Sequence, residues 1–382
     1  MKEDLEVVAR KELGETLEVI KESIDKFRKL LQEETDLRPP PDYVLLMFCE
    51  PESTESTMPR RQPWQSRLDG NARASSDCFR ELSKELIRAP ISSEFKATPD
   101  GKKVHDMNEE LENIARIELG ETPQVKEKCL SQLRKLLEEE EGFRVPPDDF
   151  LLPFLRTKKY RVDEAVKTVK NYFSARRDMP EVFDNLSPST IEYDTVFRRY
   201  KLALFPLVRD SKGRAMAMLD FGSWTRDLCS IRDFMRCFIV GAECLLLDEE
   251  TQIRGVVGVE DLKGLSVHHI LELTPSFLRM LITLAQDTFP VRVKGMYFIN
   301  TPTVFEGIYN IFMRPFISTK LKSRVHLVKG GLSELSDVFP LESLPKEYGG
   351  TKEDYDWDHH QRSFHDKAEH FQNVRLWGYV EK

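Results

Sequence analysis

The sequence predicts an α/β protein: an all-helical N-terminal subdomain followed by an α/β domain with a mostly parallel sheet. Three observations carry that expectation. Before about Lys201 the apolar residues recur at helical spacing, as in Leu130, Leu133, Leu136 and Leu137. Beyond it, short apolar runs suited to buried strands alternate with helical patterns, which implies parallel strands covered by helices. The composition, 40% hydrophobic and 32% charged over 382 residues, is that of an ordinary globular chain with material for one large core or two modest ones.

The first element is a repeat. "ARKELGETLEVIKESIDKFRKLLQEETDLRPPPDYVLLMF" from Ala9 resembles "ARIELGETPQVKEKCLSQLRKLLEEEEGFRVPPDDFLLPF" from Ala115, in one register back to Met1 and Met107, with about half the positions identical. Two copies at so long a period read as a duplicated segment, not a solenoid. The second copy continues through "LRTKKYRVDEAVKTVKNYFSARRDMPEVF", a further helical run; the first stops at Cys49. The stretch after it, "CEPESTESTMPRRQPWQSRLDGNARASS", is rich in Pro, Ser and Thr and is expected to be disordered, with helix returning near "CFRELSKELIRA". The expected organisation is therefore 1–48 partial duplicate, 49–106 linker, 107–185 helical domain, 186–350 α/β domain and 351–382 C-terminal tail.

In the α/β part, "KLALFPLV", "AMAMLDF", "VVGVED", "GMYFIN" and "VHLV" are the expected strands. "SIRDFMRCFIVGAECLLLDEE" and "TPSFLRMLITLAQDTF" are helical patterns between them.

Several function classes lose ground here. No GxSxG, P-loop or strand-linked GxGxxG is present, so nothing points to an enzyme or to a cofactor. A net charge of −8 argues against broad nucleic-acid binding. No apolar run approaches a bilayer span, and the charged, periodic N-terminus is unlike a signal peptide. Six scattered cysteines without CxxC pairs fit a reducing, cytosolic setting, and Cys237 and Cys244 read as small core hydrophobes. His268 and His269 read as a satisfied or solvated pair, and His359, His360 and His365 as part of a solvated polar tail.

One segment stands apart. In "NTPTVFEGIYNIFMRPFISTKLKSR", from Asn300, the residues Val304, Phe305, Ile308, Ile311 and Phe312 fall at 1-, 3- and 4-residue steps, with Thr301 as a candidate N-cap and Pro302 in the first turn. Arg314, Lys320, Lys322 and Arg324 follow, and Arg292 and Lys294 precede it. A core-facing helix would explain the oil. An interfacial helix at an anionic bilayer would explain the oil and the cations together.

These residues carry a resemblance. "DLKGLS", "LTPSFLRMLITLAQDTFPVRVKGMYFINTPTVFEGIYNIFMRPFISTKLKSRVHLV" and "LPKEYGG" resemble the CRAL-TRIO lipid-binding domain in order and spacing, and "PPDDFLLPFLRTKKYRVDEAVKTVKNYFSAR" is similar to its N-terminal helical companion. The resemblance covers roughly Met107 to Gly350; the copy at 1–48 departs from the family, whose N-terminal helices usually occur once. It implies a sheet flooring an apolar cavity for one tocopherol- or retinoid-like lipid, under a mobile lid at about Thr301–Phe316 that presents Val304, Phe305, Ile308, Ile311 and Phe312. It implies a lipid shell of Met235, Phe238, Ala242, Val256, Leu273, Leu281, Leu284, Phe289, Val291 and Phe305. A tocopherol-carrying member has small hydroxyl residues where Phe238 and Ala242 stand and a histidine where Ala203 stands, so tocopherol is not singled out. The resemblance also implies a phosphoinositide headgroup site at Lys158, Arg292, Lys294, Lys320, Lys322 and Arg324. The expected protein is a monomer without catalytic residues or metal, cytoplasmic, with transient attachment to endosomal or plasma membranes. A phosphoinositide adaptor or sensor, in which the cavity is secondary, is the other reading.

Overall fold

A computed structural model describes residues 104–204, 208–340, 342, 344–348, 350–353 and 355–379; the duplicate 1–48 and the expected linker as far as residue 103 lie outside them. Helix α1, Val104–Leu119, starts slightly before the expected boundary at Met107 and ends at Gly120, whose φ of +72° suits a glycine stop. Helix α2, Pro123–Glu138, begins on a proline with Thr122 accepting from the Val125 amide, and buries Leu130, Leu133 and Leu137. Strand β1, Phe143–Arg144, then leads to α3, Asp148–Thr157, and α4, Val162–Asp178. The described residues from Glu109 onward belong to one compact unit.

The main sheet has five strands in chain order: β2 (Ala203–Leu204), β3 (Ala215–Asp220), β4 (Val256–Asp261), β5 (Val293–Ile299) and β6 (Val325–Leu327). Only β2 runs antiparallel to its neighbour; the other three pairings are parallel, as expected for strands separated by helices. The helices of this part are α5 (Ile231–Leu246), α6 (Glu249–Arg254), α7 (Val267–Glu272), α8 (Pro275–Thr283), α9 (Thr303–Ile308) and α10 (Thr319–Lys322).

Register decides what each sheet face carries. Ala217 pairs with Gly258 and Gly258 with Met296; Leu219 pairs with Glu260 and Glu260 with Phe298. Strand alternation puts these residues on one face. Met216, Met218, Val257 and Val259 point to the other, where they pack with Leu335, Phe339 and Leu344.

The C-terminal segment departs from the expected solvated tail. It forms α11 (Trp357–His365), α12 (Ala368–Val374) and strand β7 (Gly378–Tyr379), which pairs antiparallel with β1. His360 and Phe364 are one helical turn apart, so a single face buries both, and Phe371 and Val374 add to the same core. His360 is 1% exposed, and its Nδ1 lies 2.6 Å from the Tyr193 hydroxyl. A polar composition had hidden this amphipathic face.

Candidate functional site

Two unlike surfaces adjoin at one side of the sheet. The first is an apolar cavity of about 280 Å³, bounded by the inner sheet face and by residues of α5, α8 and α9. Its floor is low because Ala217 and Gly258 stand side by side; a Cβ at Gly258 would come within 2.6 Å of the Met296 sulfur. All ten residues that the resemblance assigned to a lipid shell line this cavity, from Met235 on α5 to Phe305 on α9.

Glu260 is the one carboxylate among the described lining residues. Burial, and then the charges of Asp220 and Asp261, push its carboxyl up to about 8. Sequence reasoning missed it because the alternation within "VVGVED" is short and either face could have been the inner one.

Helix α9 borders the cavity, and the face it turns to it differs from the one expected. Phe305, Tyr309 and Met313 line the cavity, followed by Ile317 and Leu321. Of the four residues named from the sequence whose side chains are described, Phe305 alone lines it. Ile308 is fully buried elsewhere, Ile311 and Phe312 are half-buried, and the side chain of Val304 lies outside the described ones. The cause is a π-turn: α9 continues through Tyr309–Met313, where the Arg314 amide donates to the Tyr309 carbonyl at 2.7 Å. Five-residue hydrogen bonding winds the chain more slowly, so beyond Tyr309 the inner face continues with a step of four, to Met313 in place of Phe312. A second such turn, Leu284–Thr288, extends α8. Thr301 does not cap α9; its hydroxyl donates to the Phe298 carbonyl at 2.7 Å.

The second surface is basic. β5 and β6 are neighbours, and the Met296 amide donates to the Arg324 carbonyl at 2.8 Å, which brings Arg324 beside Lys294. Arg292 donates to the Ile253 carbonyl and Arg324 to the Val293 carbonyl, so both guanidiniums are anchored. Burial and then the positive charges of Arg324, Lys159, Lys158 and Arg161 lower the Lys320 pKa. Burial and then Arg292 lower that of Arg324. Five of the six residues expected to form a headgroup site thus adjoin: Lys158, Lys320 and Arg324 form one run that continues into Arg292 and Lys294. Lys322 is exposed on α10 and forms no ion pair among the described residues.

Three participants were not anticipated. Lys159 and Arg161 join from the "TKKYR" turn after α3, where Lys159 and Tyr160 both adopt left-handed φ, 52° and 58°. Such a conformation costs about 1–2 kcal/mol per non-glycine residue; here the Tyr160 amide is held by the Leu155 carbonyl at 2.8 Å. The third is acidic. Glu118, in the last turn of α1, places Oε2 at 2.7 Å from Arg292 and 2.6 Å from Lys294.

Among the described residues no group of three or more His, Cys, Asp or Glu is placed to hold a metal, and no helix is long and apolar enough to cross a membrane. Cys237 and Cys244 are buried and free, and burial raises both thiols.

Comparison with known proteins gives a consistent set of likenesses. The CRAL/TRIO domain matches residues 200–350. The chain is 34% identical over 255 residues to a human protein named alpha-tocopherol transfer protein-like, covering 66% of this chain and 73% of that one. It is 32% identical over 247 residues to rat clavesin-1, covering 63% of this chain and 68% of that one. Among solved structures, that of Sfh5 superposes with a TM-score of 0.40 at 16% identity over 66% of this chain and 91% of that chain, too loose a fit to argue from.

Proposed function

The chain belongs to the CRAL/TRIO family, and from that premise we propose that it binds one hydrophobic lipid, tocopherol- or retinoid-like, and exchanges it at membranes containing phosphoinositides. One observation carries the reading: the helix whose Phe305, Tyr309 and Met313 border the apolar cavity runs directly into the segment bearing Lys320 and Arg324. Each buried methylene contributes roughly 0.8 kcal/mol, so an isoprenoid tail stays bound in water. Release then needs an apolar alternative, which a bilayer supplies beside the cations.

A cavity of about 280 Å³ is near the lower end of ligand sites, roughly 300–1,000 Å³, and suits one slender molecule better than a two-tailed phospholipid. Phe238 borders the cavity without filling it, which favours cargo binding over an adaptor role in which the headgroup alone matters. In this reading the mechanism is reversible binding without bond chemistry or a cofactor. The protein acts as a cytoplasmic monomer that touches endosomal or plasma membranes transiently.

Native mass spectrometry of the purified protein, paired with a fluorescent-lipid transfer assay, tests the proposal. A single co-purified apolar lipid is expected. Changing Lys320 and Arg324 together to Glu should abolish transfer to phosphoinositide vesicles and leave the lipid bound. An empty protein that takes up no lipid from vesicles would end the cargo reading. Unchanged transfer by the charge-reversed variant would end the headgroup assignment.

A further inference from the structure

The basic cluster is divided by charge balance. In the half formed by Lys158, Lys159, Arg161 and Lys320, the groups acting on Lys320 are all positive. Asp287 and Glu164 lie at the margin of Lys158, and Glu164 pairs with Arg161 at 3.0 Å, which leaves Lys158, Lys159 and Lys320 as the open part of this half. In the other half, Arg292 and Lys294 already hold an anion: both donate to the same oxygen of Glu118. The ion pairs are partly sheltered, since the Arg292 side chain is 8% exposed and that of Glu118 41%. The helix that presents Glu118 is fixed by the buried Ala115 and Leu119. A glutamate with three rotatable bonds and an exposed flank can swing out of the pair while its helix stays docked.

This contact has a consequence for which anions can enter. A headgroup with one anionic group can settle on the open half and leave Glu118 where it is. A headgroup with two separated phosphates can hold the open half with one and exchange the other for the Glu118 carboxylate. That exchange is favourable because a phosphate carries about −1.5 to −2 charges against the single charge of the carboxylate it replaces. Resting on the membrane reading above, we propose that Glu118 is a specificity-determining residue: an internal competitor that occupies the Arg292–Lys294 half, leaves headgroups with one monoester phosphate unopposed on the open half, and reduces the advantage of headgroups with two, which must displace it. Unlike the cations, it acts by opposing a ligand, and specificity is a difference of affinities that such opposition sets.

The test compares the wild-type chain with Glu118→Gln and Glu118→Ala in co-sedimentation with phosphatidylcholine vesicles. The vesicles contain a phosphatidylinositol monophosphate, a phosphatidylinositol bisphosphate or phosphatidylserine, and soluble inositol bisphosphate serves as competitor. Thermal midpoints confirm that each variant is folded. Removing the competing carboxylate should raise binding to bisphosphate vesicles about fivefold and monophosphate binding less, so that the ratio between them widens. Weaker binding by both variants, or an unchanged ratio, would overturn the role of Glu118 while leaving the headgroup site standing. Wild-type chain that binds none of the vesicles would overturn the membrane reading and this inference together. If the soluble competitor alone bound, with the same gain in the variants, the lipid source would be overturned in favour of a free phosphate ester.

Discussion

Arg156 and Glu121 meet through two parallel hydrogen bonds, Nε to Oε2 at 2.9 Å and Nη2 to Oε1 at 2.7 Å, with Arg156 only 2% exposed. The same guanidinium reaches Glu249 at 2.7 Å and Gln252 at 2.6 Å, so it ties the start of α2 to α6 across α3. Removing Glu121 takes two of the four hydrogen bonds from a buried guanidinium and leaves it with Glu249 and Gln252, so the cost falls short of the roughly 3–5 kcal/mol of a fully unpaired buried charge. Glu121→Leu should therefore unfold at markedly lower urea than wild type, while Arg134→Ala, which breaks a half-exposed pair with Asp148, should shift the midpoint little. Burial opposes the charge on Glu121, but the hydrogen bonds and charge of Arg156 outweigh it and hold its pKa below the ordinary value. The stabilisation is thus present above the unfolded carboxylate pKa and is lost as pH falls through the depressed one. Acid unfolding should begin at higher pH in Glu121→Leu; coincident acid transitions would count against the pair.

The repeat makes a second test available. Glu121 has its counterpart in Glu15 of the first copy, but the position matching Arg156 is Glu50. The first copy thus lacks the cation that anchors the second. A truncated chain beginning at Met107 should keep its thermal midpoint within about 2 °C of the full chain, and should retain lipid. A larger fall would assign residues 1–106 a structural role.

How far these features could be read from sequence depends on whether the signal is local. The strands around Met216, Val257 and Tyr297 and the helix carrying Leu130, Leu133 and Leu137 follow from periodicity in one stretch of chain. The shared lining of Met235, Leu281 and Phe305 follows from the family resemblance, which supplies pairings that composition cannot. Three features were out of reach. The π-turn after Ile308 has no distinctive residue, yet it turns Met313 inward in place of Phe312. Glu118 meets Lys294 from 176 residues away, and no local pattern records that contact. The core made by His360 and Phe364 lay within a segment whose mean polarity outweighed its 4-residue spacing.

The face that α9 and its continuation turn to the cavity can be checked directly. Met313→Asp would place a charge against the apolar lining, whereas Ile311→Asp would place one on a half-buried residue outside it. Burying an unpaired carboxylate costs several kcal/mol or forces its protonation. Lipid retention should fall at least tenfold for Met313→Asp and about twofold or less for Ile311→Asp, with both proteins folded by circular dichroism. The reverse order would restore the uniform α-helical face and remove the π-turn from this account.

Glu260 gives the cavity a pH response whose sign can be worked out in advance. Its pKa is raised from 4.5 to about 8, by burial first and then by Asp220 and Asp261. Between those values the folded chain keeps a proton that the unfolded chain has lost, so the folded state binds more protons and stability falls as pH rises. The slope from this group is at most about 1.4 kcal/mol per pH unit, and it flattens below the lower value and above the upper one. A bound lipid strengthens the effect, because replacing cavity water with hydrocarbon further disfavours the carboxylate. Cargo retention in the wild type should therefore weaken once the pH passes about 8. Glu260→Gln keeps the shape and removes the proton, so its thermal midpoint should decline less than that of the wild type from about pH 5 to about pH 8. Its lipid retention should also lose the alkaline drop. Parallel pH curves for the two proteins would show that this carboxyl ionises freely and is not enclosed by the cavity it borders.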